Sequence, residues 1–309
     1  MDSVKNPGGD AATDIPADTW IDHFVPKGLR PYFRLARADR PIGTWLLLLP
    51  CWWSVAAAGA GWPDPHYLVL FAAGALIMRG AGCTVNDIID RDYDKRVART
   101  AGRPIANGTV SLGRAFGFLA LLLAAGLLIL LQFNDLSVII GAASLVLVAV
   151  YPFMKRLTYW PQAVLGLTFN WGALLGWTAV RGELSVTALA IYAAGFFWTL
   201  GYDTIYAHQD KEDDALIGLK STALKLGEDT KTWLFGFYAA AVALLLAAGY
   251  LADMGWPFYP LLALAALHLA WQAATTDTEN PKDCLGKFKS NRDFGLIVFV
   301  AVVAGRVVA

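Results

Sequence analysis

The sequence predicts an all-α membrane protein, a bundle of about nine transmembrane helices with cytoplasmic cap loops. Three observations carry this. Charged residues make up only 16% of the 309 and hydrophobic ones 57%, with a mean hydropathy of +0.48; a soluble domain is about 25% charged. The apolar residues gather into nine segments, each near the length a helix needs to cross about 30 Å of hydrocarbon. The connections between them alternate between short and polar, and long and charged.

In chain order the segments are 42–61, 66–85, 114–132, 135–153, 160–180, 186–207, 232–251, 256–275 and 293–309. Pro50 and Gly172 lie inside two of them, as membrane helices tolerate. Trp62, Trp160, Trp256 and Tyr259 fall near segment ends, where interfacial aromatics sit. The connections 61–66, 132–135, 180–185 and 251–256 are short; 86–113, 154–159, 208–231 and 276–292 are charged. All Lys and Arg except Arg181 and Arg306 fall in the N-terminal region or in or beside the charged set. That asymmetry puts the N-terminus and every charged loop in the cytoplasm.

Residues 1–41 read as a flexible tail and an interfacial segment ahead of a single domain, 42–309. The first twenty residues lack a signal peptide's apolar core and the Arg-rich pattern of a transit peptide. On that basis a bacterial inner membrane is expected, with a processed mitochondrial form as the alternative. Equal numbers of acidic and basic residues, 25 each, argue against a nucleic-acid binder. Cys51, Cys83 and Cys284 are scattered and read as buried thiols.

Two acidic clusters follow the second and sixth segments. Asn86, Asp90 and Asp94 are spaced i, i+4, i+8, one stripe if the helix continues, with Asp87 at its edge and Asp92 pointing away. Asp203, Asp210 and Asp214 are spaced i, i+7, i+11 and share a helical stripe with Tyr206 beside them. Carboxylates aimed one way repel one another and resist desolvation, so they call for a cation. Oxygen donors without His or Cys suit Mg²⁺, which bridges one or two carboxylates to substrate phosphates. The residues thus predict a phosphate-bearing substrate held by magnesium. His208 alone is a weak signal.

Basic residues follow both clusters. Arg91, Arg99, Arg103, Lys155 and Lys220 are candidates to neutralise a diphosphate, against a plain positive-inside role. Arg79 lies inside an apolar segment, which marks either a functional group or a side chain snorkelling to the interface. Arg156 closes the fourth segment; its planar fork suits a carboxylate, with a topology anchor as the other reading.

At these residues the chain resembles the UbiA superfamily of intramembrane prenyltransferases. Asn86, Asp87, Asp90 and Asp94 match its NDxxDxxxD motif, and Asp210 and Asp214 its DxxxD motif. RGAGCTVNDIIDRDYD, RTAGRPI, YPFMKRLTYWPQ and GYDTIYAHQDKEDD resemble the branch that acts on 4-hydroxybenzoate in ubiquinone biosynthesis. The resemblance implies a central cavity opening to lipid, and Mg²⁺ with diphosphate held by Asp90, Asp94, Asp210 and Asp214. Asn86 and Arg91 would assist, and Arg156 would meet the aromatic carboxylate. It implies transfer of a polyprenyl chain from its diphosphate to the ring carbon ortho to the hydroxyl. Tyr151, Phe169 or Trp171 are candidates to face the allylic cation. Other acceptors (homogentisate, dihydroxynaphthoate, a porphyrin) stay open. An ion-coupled transporter, the rival from another class, predicts acids near mid-span and inverted repeats; here the acids sit at helix ends.

Overall fold

The computed structural model describes residues 15–16, 18–97, 100–216 and 218–309, with the side chains of Asp210 and Asp213 left aside. The tail expected before residue 15 lies outside that set. Thirteen α-helices and no strand occur among the described residues. They are α1 (Trp20–Phe24), α2 (Arg30–Leu35), α3 (Ile42–Ala58), α4 (Pro65–Asp94), α5 (Leu112–Leu130), α6 (Asp135–Leu157) and α7 (Pro161–Arg181). Then come α8 (Val186–Ala207), α9 (Lys211–Leu216), α10 (Thr222–Leu226), α11 (Thr230–Leu251), α12 (Phe258–Thr275) and α13 (Pro281–Val308).

Each apolar segment read from the sequence falls on one of the long helices. Local chemistry sets many of their ends. Asn134 and Ser185 accept from the amides of Ser137 and Ala188 at the starts of α6 and α8. Pro161 opens α7, and Gly182 closes it in the left-handed conformation, φ +71°. At α13, Asn280 accepts from the amides of Lys282 and Asp283. This cap carries the helix through 281–292, a stretch read from the sequence as a connection.

Five stretches are long and apolar enough to cross a membrane: Pro65–Asp94, Leu112–Leu130, Asp135–Leu157, Pro161–Arg181 and Thr222–Leu251. The helix α3 is apolar but has only 17 residues. Only 6% of the α5 window and 11% of the α6 window is buried by protein, so these two present most of their surface outward.

The chain divides into two compact units. One comprises the segment through Pro41 with Ile77–Gly126; the other comprises Ile42–Leu76 and Leu127–Ala309. In the first, Leu35, Ile88, Ile105, Val110 and Ala115 form a small core with Tyr32 and Phe118 against it. In the second, Trp53 of α3, Trp198 of α8 and Phe294 of α13 stack with centroids 5.1 and 5.2 Å apart. The Trp53 indole donates to the Gly295 carbonyl at 2.8 Å, satisfying a polar atom inside that core. Close approach of α3 and α7 depends on Gly172 and Gly176, where an added Cβ would meet Cys51. The three cysteines are free and buried.

Candidate active site

The helix α4 runs unbroken to Asp94, so Asn86, Asp90 and Asp94 do share a helical stripe. Asp87 is the most buried of these acids, 1% exposed, and Asp94 is 6% exposed. Asn86 and Asp90 are half-buried, and Asp92 is exposed. Two guanidinium groups meet the buried pair. Arg37 donates to both Asp87 oxygens, at 2.7 and 3.1 Å. Arg103 donates to Asp87 at 3.3 Å and to both Asp94 oxygens at 3.1 Å. Asp87 and Asp94 are seven residues apart on one helix, about two turns, so a single guanidinium nitrogen of Arg103 reaches both.

The loop that supplies Arg103 is fixed from below. Ile105 and Val110 are buried against Ile88 and Ala115, the Val110 amide donates to Pro104 at 2.8 Å, and the Thr100 hydroxyl donates to the Asp94 carbonyl at 3.0 Å. Arg37 comes from the turn after α2, where its backbone holds φ +58°. A long side chain at positive φ is uncommon and strained; the two-pronged bond to Asp87 helps hold it there. Beside it Asp39 accepts from Arg40 at 2.8 Å; burial pushes the Asp39 carboxyl up, and Arg40 opposes that shift.

Arg37 was absent from the residues singled out in the sequence, where it counts as one positive-inside charge among several. Nothing local distinguishes it, because its partner is 50 positions away. Arg91 lies 3.6 Å from exposed Asp92 rather than on the buried acids. Arg79 stands mid-way along α4, half-buried. Arg99 lies outside the described residues.

The second unit carries the other candidates. The stripe drawn through Asp203, Asp210 and Asp214 requires one continuous α-helix, and this expectation is corrected. The helix α8 ends at Ala207; His208–Asp210 form a 3-10 turn before α9. A tighter turn breaks the 100° progression, so Asp203 alone of the three stands on α8. Asp203, Tyr206 and Asp214 are half-buried, and the Tyr206 ring packs on Phe288 with centroids 4.4 Å apart.

His208 anchors the 3-10 turn. It faces the Thr230 hydroxyl at 3.0 Å. That hydroxyl donates to the Gly227 carbonyl at 2.7 Å, so it accepts from His208, and Nε2 carries the proton. Burial pushes the imidazole down to about 4, with Lys211 adding to the shift and Glu279 opposing it. The ring is therefore neutral.

Lys155, Arg156 and Lys220 gather at the C-terminal end of α6. The Lys220 amide donates to the Lys155 carbonyl at 2.8 Å, and its ammonium donates to the Leu157 carbonyl at 3.3 Å and lies 5.4 Å from the Tyr159 ring centre. Three cations at a helix C-terminus complement its dipole. The Thr222 amide donates to Gln162 at 3.1 Å and its hydroxyl bonds Thr204 at 2.7 Å, which stitches the Lys220 segment to α7 and α8. Among the aromatics, the Trp171 indole donates to the Ile140 carbonyl at 2.8 Å, and its ring meets Tyr192 edge-on.

Among the described residues no three His, Cys, Asp or Glu stand close enough to enclose a metal ion. The donor set still suits one cation. Asn86, Asp90 and Asp94 offer hard oxygens at a helix end, and Mg²⁺ is ordinarily completed by water and substrate phosphate rather than by an all-protein cage. Asp87 fits this less well: it is 1% exposed and two guanidinium groups, Arg37 and Arg103, bond it, against the single Arg103 on Asp94 among the described residues.

Residues 47–300 match the family described as the UbiA prenyltransferase family. The chain is 56% identical over 288 residues to the mitochondrial 4-hydroxybenzoate polyprenyltransferase of Bos taurus, covering 92% of this chain and 78% of that protein. It is 54% identical over 291 residues to the mitochondrial 4-hydroxybenzoate polyprenyltransferase of Arabidopsis thaliana, covering 93% of this chain and 72% of that protein. A UbiA homolog from Archaeoglobus fulgidus, bound to GPP and Mg²⁺, shares the fold with a TM-score of 0.66 at 22% identity, covering 88% of this chain and 99% of that one. The expected bacterial inner membrane is corrected by these relatives, which are mitochondrial proteins of eukaryotes. Positive-inside charge and span pattern do not distinguish one membrane from another.

Proposed function

Because the chain belongs to the UbiA prenyltransferase family, we propose that it transfers a polyprenyl group from polyprenyl diphosphate to the ring carbon of 4-hydroxybenzoate ortho to its hydroxyl, in ubiquinone biosynthesis. The observation that carries this is identity above one half, over nine-tenths of the chain, to two enzymes named for that acceptor. The relatives point to a mitochondrial membrane as its place. All nine apolar segments cross it in this reading, with the charged loops and both acidic clusters on the Lys- and Arg-rich side.

Asp90, Asp94, Asp210 and Asp214 would hold magnesium, with Asn86 assisting. Bound magnesium supplies Lewis-acid neutralisation of the diphosphate. Asp87 contributes by orienting Arg103 toward Asp94. Arg91, Arg99, Arg103, Lys155 and Lys220 bind the remaining phosphate charge. Arg156 orients the acceptor through its carboxylate. The bond between the allylic carbon and diphosphate oxygen breaks with release of diphosphate, the ring carbon forms the new carbon–carbon bond, and a base or water takes the ring proton. Ring faces stabilise the cation-like chain, and exclusion of water protects it.

Purified protein with Mg²⁺, radiolabelled 4-hydroxybenzoate and a series of prenyl diphosphates should yield the prenylated acid. Preference for homogentisate, dihydroxynaphthoate or a porphyrin under the same conditions would replace the acceptor and keep the family reaction.

A further inference from the structure

We propose that residues 20–35 form a foot that inserts an aromatic and aliphatic patch into a leaflet bearing anionic phospholipid headgroups. The patch comprises Trp20 (46% exposed), Phe24 (81%), Leu29 (51%) and Phe33 (37%). Trp20 and Phe33 meet edge-on with centroids 5.8 Å apart, which makes one surface of residues thirteen apart. The opposite side of the segment is committed to the unit's own core through Ile21, Val25 and Leu35, all buried.

The level of the segment identifies what covers the patch. Tyr32 packs on Phe118 at 5.3 Å, and Phe118 lies six residues into α5, roughly 9 Å from its start at 1.5 Å per residue. On α5 itself Phe116 (55%) and Leu121 (65%) are exposed apolar side chains. The helix α5 is itself among the stretches apolar enough to cross a bilayer. A segment packed on the first turns of α5, the helix end that carries exposed Arg114, sits at the boundary between headgroups and acyl chains, where tryptophan is favoured.

Charge selects the headgroup. Asp22 is held by Arg34 at 2.6 Å and Asp39 by Arg40 at 2.8 Å, Asp18 faces His23 at 2.8 Å, and Arg37 is on Asp87. Lys27 is exposed beside the patch, and Arg30, half-buried, donates to the Val25 carbonyl at 2.8 Å. Neither has a carboxylate partner among the ion pairs of the described residues. Two such cations next to inserted rings match phosphate headgroups.

The test uses the full chain with a nitroxide at Phe24→Cys, the native cysteines being buried. A nitroxide at Glu228→Cys, on the exposed 3-10 turn Gly227–Asp229, serves as the water-facing reference. Nanodiscs of phosphatidylcholine are compared with an equimolar mixture of phosphatidylcholine and phosphatidylglycerol. In the mixture, position 24 should be accessible to oxygen and shielded from a water-soluble nickel chelate, and position 228 the reverse. Lys27→Gln with Arg30→Gln should lower the docked-to-free ratio in anionic discs by about thirtyfold at low salt. Nickel accessibility at position 24 equal to that at 228 in both discs overturns the proposal. So does insertion that is equal in both discs or indifferent to the charge removal.

Discussion

The Arg37 guanidinium grips the Asp87 carboxylate with two parallel bonds, 2.7 and 3.1 Å long, across 50 residues of sequence. Both side chains are buried, 9% and 1% exposed, so the attraction between them offsets the cost of taking each charge out of water. Removing one partner of such a pair leaves a buried charge, which costs about 3–5 kcal/mol. Arg37→Gln should therefore lower the thermal stability of the detergent-solubilised protein by that order. Pairing it with Asp87→Asn should recover part of the loss. Additive losses in the double-mutant cycle would show that the two groups do not interact.

Arg103 bridges Asp87 and Asp94 and so competes with any cation for Asp94. Arg103→Gln should tighten Mg²⁺ binding in the absence of diphosphate, by about fivefold for an ion pair of roughly 1 kcal/mol. It should raise the KM for prenyl diphosphate at the same time. Isothermal titration with Mg²⁺ alone, followed by steady-state kinetics, reads the two effects separately. Weaker metal binding would contradict the competition.

Asp90→Ala and Asp210→Ala should each reduce Mg²⁺-dependent turnover by about 10²–10³-fold or more, the scale set by losing one electrostatic stabiliser of the departing group. Circular dichroism and melting should stay close to the parent. Asp92→Ala, on the exposed side of α4, should leave turnover unchanged. Near-normal rates in both of the first variants reject the metal assignment.

Arg156→Ala should raise the KM for 4-hydroxybenzoate roughly tenfold or more, as the loss of a charge-assisted hydrogen bond does. The KM for prenyl diphosphate should move little. Arg156→Lys should recover part of the effect, since it keeps the charge but not the fork. An unchanged KM for the acid rejects the clamp.

At Gly176 an added Cβ would lie 2.6 Å from the Cys51 carbonyl oxygen, a backbone atom that cannot swing aside. Gly176→Ala should destabilise by about 1–3 kcal/mol, as overpacking does. Gly117→Ala on α5, with nothing within 4 Å, should stabilise by roughly 0.5–1 kcal/mol through the lower conformational entropy of alanine. Thermal melts of the two variants should move in opposite directions.

The positions of the long helices and the common stripe of Asn86, Asp90 and Asp94 are legible in the residues alone. Both follow from local rules: a run of about 20 apolar residues needs internally satisfied backbone hydrogen bonds in lipid, and helical periodicity fixes which neighbours align. Which cations meet those acids depends instead on long-range packing. Arg37 and Arg103 are chosen by chain paths through Leu35, Ile105 and Val110, and Lys220 is brought to Lys155 by bonds across 60 or more residues. The break after Ala207 likewise escaped the pattern. It depends on His208 reaching Thr230, 22 residues on, a contact that no periodicity encodes.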